Sequence, residues 1–183
     1  MRISKGLYLT TTILCAAFIW GSRLYLVASE DVVVSEVTTP VGVLFLQVTA
    51  SLVSMVFGLR LLYRAWAAIQ DGHTHLSPGR AVGYMFIPVY DLFHMFSVTY
   101  GFAKAYNAYL VRHSLNLPKL PQWFFLAFAI WCLAVGLTAS IPGAWLYQIP
   151  IGIVVGFFYI SKVCDAVNAL PGFDSSFARI TPA

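Results

Sequence analysis

The chain has 183 residues, 60% of them apolar, 16% aromatic and only 10% charged. Soluble domains carry about 25% charged residues, so this composition excludes a water-exposed globular enzyme, a disordered chain and a nucleic-acid module. The formal charge of +4 then reads as a topology signal of a membrane protein rather than as a polyanion-binding surface.

In chain order, Arg2 and Lys5 precede an apolar stretch from Leu7 to Trp20 and imitate a secretory signal, with Val27-Ala-Ser29 as a weak cleavage site. The stretch is read instead as a retained first membrane helix. A membrane-spanning helix needs about 20 mostly apolar residues, and four segments qualify: about 7–27, 41–63, 122–140 and 145–164. Pro40 introduces the second, where proline is tolerated in a helix's first turn. The last two are joined by Ile141-Pro-Gly-Ala144, short enough to force an antiparallel hairpin. Cys15, Cys132 and Cys164 lie singly within apolar runs, so neither a disulfide framework nor a zinc site is expected.

A fifth stretch, Ala81 to Gly101, is long enough to cross but contains Pro88, Asp91 and His94. Proline removes a helix hydrogen bond and pushes the preceding residue out of helical geometry, so a helix capped by Ser77 with Pro78 in its first turn should stop near Ile87 and restart at Pro88. Charge decides whether the stretch crosses. If it does not, ten basic residues lie on the N-terminal side of the membrane and only Arg23 lies opposite; if it does, the count becomes five against six. The positive-inside rule therefore predicts an all-α integral membrane protein forming a single membrane domain. It has four transmembrane helices, a Pro-broken re-entrant or interfacial element over 78–113, and both termini cytoplasmic. Trp66 and Trp123 are expected at the inner boundary and Trp145 at the outer one, while Trp131 falls mid-span and needs a packing partner.

Pro78-Gly-Arg-Ala-Val-Gly83, Phe86-Ile-Pro88, Asp91, Gly101, Lys104 and Asn107, with the Ser161–Leu170 tail, resemble an uncharacterised bacterial family of small four-span membrane proteins carrying a P-G-x-A-V-G-x-x-F-I-P stretch. The resemblance covers about half of the chain. Asp91 stands where that pattern suggests Asn, and His94 where an aromatic is usual. It implies a four-span fold in a bacterial inner membrane and no particular activity.

Ionisable residues at membrane depth are functional suspects. Asp91 and His94, at i and i+3, form the leading pair, read either as a proton- or cation-sensitive site at a broken helix or as a capped half-helix. Lys104-x-x-Asn107-Ala and Lys162-x-x-Asp165-Ala resemble each other and complete the candidate polar site. Arg23 should need an acidic partner among Glu30, Asp31 and Glu36, and Gln47 should hydrogen-bond between helices. Arg60, Arg64 and Arg80, with Lys104 and Lys162, suit anionic headgroups. Ser54-x-x-x-Gly58 and Gly152-x-x-x-Gly156 are candidate packing stripes. His73-Thr-His75 beside Asp71 makes a poor metal site, and no Ser/His/Asp constellation or phosphate loop is present. The expected role is a non-enzymatic interaction protein without cofactors: a scaffold, sensor or accessory subunit. It would partner the lipid bilayer and either a second copy or another membrane protein. The alternative is a small channel or transporter using Asp91 and His94.

Overall fold

The computed structural model describes residues 3–28, 41–87, 90–138, 140–141 and 143–171, with the side chains of 25–28, 91, 92 and 145 excepted. Among the described residues the structure is wholly helical: six α-helices and one 3-10 turn.

Three helices are long and apolar enough to cross a membrane: α1 (Lys5–Ala28), α2 (Val41–Ala68) and α6 (Trp145–Ala169). At 1.5 Å per residue they measure about 36, 42 and 37 Å, against a hydrocarbon core of about 30 Å. The fourth expected span, α5 (Gln122–Thr138), is apolar throughout but has 17 residues, or about 25 Å. Between α5 and α6, Gly143 adopts φ +76°, a left-handed conformation that suits glycine. Gln148 Nε2 donates to Thr138 Oγ1 at 2.7 Å and ties the hairpin together.

The central segment is broken before Pro88, and the helix restart expected at Pro88 itself lies outside the described residues. Ser77 caps α3 (Pro78–Gly83), its Oγ accepting from the Arg80 N–H, with Pro78 in the first turn. The 3-10 turn Tyr84–Phe86 follows, Ile87 is extended, and α4 runs from Tyr90 to Arg112. α4 stops in a Schellman motif: Ser114 takes φ 51°, its N–H bonds the Val111 carbonyl, and the Leu115 N–H reaches back to Leu110.

The elements pack as a closed ring. α1 touches α2 and α6, α6 touches α5, and α5 touches α4; the 3-10 turn and α3 then return the ring to α2. Burial within this ring is one-sided. The core gathers Ile3 and Tyr8 of the N-terminal end, residues within 61–69 at the end of α2, residues within 98–110 of α4, Leu120 and Phe125, and residues within 163–170 at the end of α6. These are the ends that carry Lys5, Arg64, Lys104, Arg112 and Lys162, and they form a basic end. α2 accordingly runs to Ala68, beyond the expected 41–63 span, because its last two turns are core. Trp66 belongs there too. The expectation of an interfacial ring fails, since it is fully buried, donates to the Val98 carbonyl at 3.3 Å and meets Phe102 edge-on at 5.8 Å. Trp123, by contrast, is 72% exposed.

Away from the basic end the helices are bare. Only 6%, 6% and 17% of the apolar windows of α1, α2 and α6 are buried. Leu14, Val41, Phe45 and Leu137 are all more than half exposed.

Candidate functional site

The broken segment leaves the basic end and returns to it. Asp71, which precedes α3, meets Arg112, which closes α4: Nη2 lies 2.7 Å and Nε 2.9 Å from Oδ2. Asp71 also accepts from the His73 N–H at 3.0 Å, and His113 Nε2 stands 3.5 Å away. Its side chain is only 8% exposed. Burial alone would push this carboxyl up. The Arg112 and His73 hydrogen bonds, with the charges of those two residues, outweigh it and hold the carboxyl below its ordinary value.

His94 makes contacts on three sides. It is buried, its Nε2 donates to the Ala81 carbonyl at 3.2 Å, and its ring lies between Tyr90, stacked at 5.4 Å, and Tyr84, edge-on at 5.4 Å. The histidine thereby pins α4 to α3 across the proline break. The Asp91 side chain lies outside the described residues, as do Arg23's expected partners Glu30, Asp31 and Glu36. Gln47 is buried and donates to Ser22 Oγ at 2.8 Å, joining α2 to α1.

Two asparagines act alike. Asn107 Nδ2 donates to the Leu120 carbonyl at 2.9 Å while its Oδ1 accepts from the Leu120 N–H at 2.8 Å. Asn168 brackets Ile3 in the same way, at 2.9 and 2.8 Å. Leu120 and Ile3 each stand two residues before a helix, α5 and α1. Each is followed five residues later by a buried aromatic, Phe125 and Tyr8. Equivalence therefore runs through Lys104-Ala-Tyr-Asn107-Ala and Asp165-Ala-Val-Asn168-Ala. The sequence pairing of Asn107 with Asp165 was three residues out of register. Asp165 instead occupies the Lys104 place and binds Lys5 Nζ through both oxygens, at 2.8 and 2.7 Å. Tyr106 joins the two units by donating to the Ala166 carbonyl at 3.2 Å. Asn168 escaped the sequence reading, although the repeated Ala-x-Asn-Ala was there to be seen.

Lys104 and Lys162 are exposed and diverge from the bracket. Lys104 lies 6.0 Å above the Tyr100 ring. It lines a groove of about 490 Å³ with His73, His75, Ser97, Ala108 and Arg112, among others. Lys162 makes no ion pair among the described residues.

The small-residue stripes open onto space. Ser54, Gly58 and Gly156 line an open-sided cavity of about 310 Å³, whose other lining residues come from α1, the 3-10 turn, α4 and α5 as well as α2 and α6, and Gly58 itself is exposed. A Cβ at Gly58 or Gly156 would meet nothing within 4 Å. Gly152 differs: a Cβ there would lie 3.9 Å from Trp131 Nε1, so the mid-span tryptophan finds its packing partner on α6.

Among the described residues, no group of three metal-ligating side chains gathers, and Cys15, Cys132 and Cys164 form no disulfide. No protein-family model matches the chain, and neither a curated protein nor a solved structure is similar to it at a significant level.

Proposed function

We propose that this chain is a non-enzymatic integral membrane protein of the bacterial inner membrane that works by helix packing, as a scaffold or accessory subunit. In this reading α1, α2, α5 and α6 cross the bilayer. The α3–α4 element dips in from the cytoplasmic side and returns to it, and the basic end with both termini is cytoplasmic. The observation that carries the reading is the bareness of the apolar windows, of which 6–17% is buried. Side chains such as Leu14, Phe45 and Val41 need lipid or another helix against them. The count of ten basic residues against one and the Asp71–Arg112 pair support the cytoplasmic return, and the resemblance to small four-span proteins is in keeping with it.

The partner we propose is a second copy, seated at Ser54 and Gly58 of α2. Within one chain a Cβ added at Gly58 would meet nothing within 4 Å, and small residues let a neighbouring helix approach closely. Crosslinking in mild detergent should trap an oligomer, and Gly58→Ala, whose added Cβ meets nothing within 4 Å in its own chain, should lower the oligomer fraction while the monomer stays folded. A wild type that runs as a partnerless monomer overturns the reading.

A further inference from the structure

We propose that the groove between the His73–His75 loop and α4 binds a phosphoryl anion, supplied by the headgroup of an acidic phospholipid. The lipid source rests on the four-span reading above; the phosphoryl chemistry does not.

Along α4, Ser97, Gly101, Lys104, Ala108 and Arg112 recur at three- and four-residue steps and so share one face. Glycine and alanine at the middle positions keep that face low, and the loop stands over it, leaving about 490 Å³ open. Charge in the groove has one sign. Asp71, the acid behind it, is already bonded through Oδ2 to Arg112 and is almost wholly covered. Lys104 faces only the Tyr100 ring among the described residues, so its charge is uncompensated. His73 and His75 add imidazoles on the opposite wall. The His73 Nδ1 is occupied by the Asp71 carbonyl at 3.1 Å, which leaves its other nitrogen free. A point cation in a groove that Ser97 and Tyr100 also line is suited to phosphate oxygens.

Position argues for a lipid. The groove begins beside apolar Phe96 and ends at Arg112, about 24 Å further along α4. An acyl chain can therefore lie at one end while its headgroup meets the cations at the other. Basic pockets at the cytoplasmic surface attract anionic headgroups for this reason.

Native mass spectrometry of the full chain in mild detergent tests the proposal, with phosphatidylglycerol, phosphatidylcholine and inorganic phosphate as probes. The expected result is one retained phosphatidylglycerol, no retained phosphatidylcholine, and about tenfold weaker retention in Lys104→Gln, the effect of losing one charge-assisted bond. Ala108→Leu, which fills the groove without altering charge, should weaken retention similarly. Lys162→Gln, the same charge change outside the groove, should leave it intact. Displacement of the lipid by inorganic phosphate supports a phosphoryl site served from water, and resistance to it supports the lipid source. Equal losses in Lys104→Gln and Lys162→Gln, or no binding of either phosphatidylglycerol or inorganic phosphate, overturn the proposal. Alkaline extraction of the same membranes separates the two levels: a chain that washes out ends the membrane reading, whereas one that stays but fails the lipid arms loses only the groove.

Discussion

The basic end and the opposite half of the bundle are made of the same apolar residue types, yet only the basic end is packed as a protein interior. At that end Trp66, Phe102, Tyr106, Phe125 and Val167 are fully covered by one another. At the other, Leu14, Phe45, Ile130 and Leu137 project from single helices. The difference lies in what accompanies the apolar groups. The basic end supplies directional bonds that fix helix ends against each other: two asparagine brackets, the Lys5–Asp165 pair and the Tyr106 and Trp66 donors. The far half has little beyond Gln47 with Ser22 and Gln148 with Thr138. Hydrocarbon is as good a neighbour to leucine as another leucine is, so burial alone holds nothing together there.

The sharpest break in this contrast comes from removing the anchor. Trp66→Ala empties the middle of the packed end and should cost about 3–5 kcal/mol, read from thermal unfolding in mild detergent. Next in size are the brackets. Asn107→Ala and Asn168→Ala each strand a buried N–H and a carbonyl, at about 2 kcal/mol apiece. Near-equal losses would sharpen the equivalence of the two units; a loss at Asn107 alone would break it.

How much of this was legible in the sequence follows the same division. The long apolar helices were readable because they depend on composition over about 20 residues, and the break was readable because Pro88 acts on its own neighbours. Ser77 as a cap was local in the same sense. Trp66 was misjudged because belt and core tryptophans look alike until the residues 32 and 36 positions away, Val98 and Phe102, are placed. The brackets were missed because an asparagine's partners, Leu120 and Ile3, are backbone groups that no side-chain pattern advertises. The bond from His94 to the Ala81 carbonyl in the preceding helix was not legible, because helical spacing points only to neighbours on α4 itself.

A smaller effect should appear with pH. The Asp71 carboxyl titrates lower in the folded chain than its ordinary value of about 3.9. On acidification the unfolded chain therefore takes up the proton first. The stabilisation is complete above the unfolded value and is lost as pH falls through the folded one. Unfolding midpoints should hold steady from neutrality to about pH 5 and fall below about pH 4. In Asp71→Asn the neutral midpoint should drop and the acid limb should flatten. An unchanged acid limb would show that the clamp between the 71–75 loop and α4 contributes nothing.

The smallest effects belong to the far half. Leu14→Ala and Phe45→Ala remove side chains that are each 69% exposed, so neither opens a cavity and neither should shift stability by more than about 0.5 kcal/mol. That near-silence is informative because it holds for a single chain. If a second copy seats against α2, Phe45 and Gly58 need not behave alike, since helical residues 13 positions apart point in different directions. Scanning the exposed positions of α2 in mild detergent should therefore leave most of them silent and pick out one stripe containing Ser54 and Gly58. In that stripe, substitution lowers the oligomer fraction while the monomer's unfolding midpoint stays fixed. Losses spread evenly around the helix would instead mean that the far half is packed by its own chain, and the contrast between the two ends would fall.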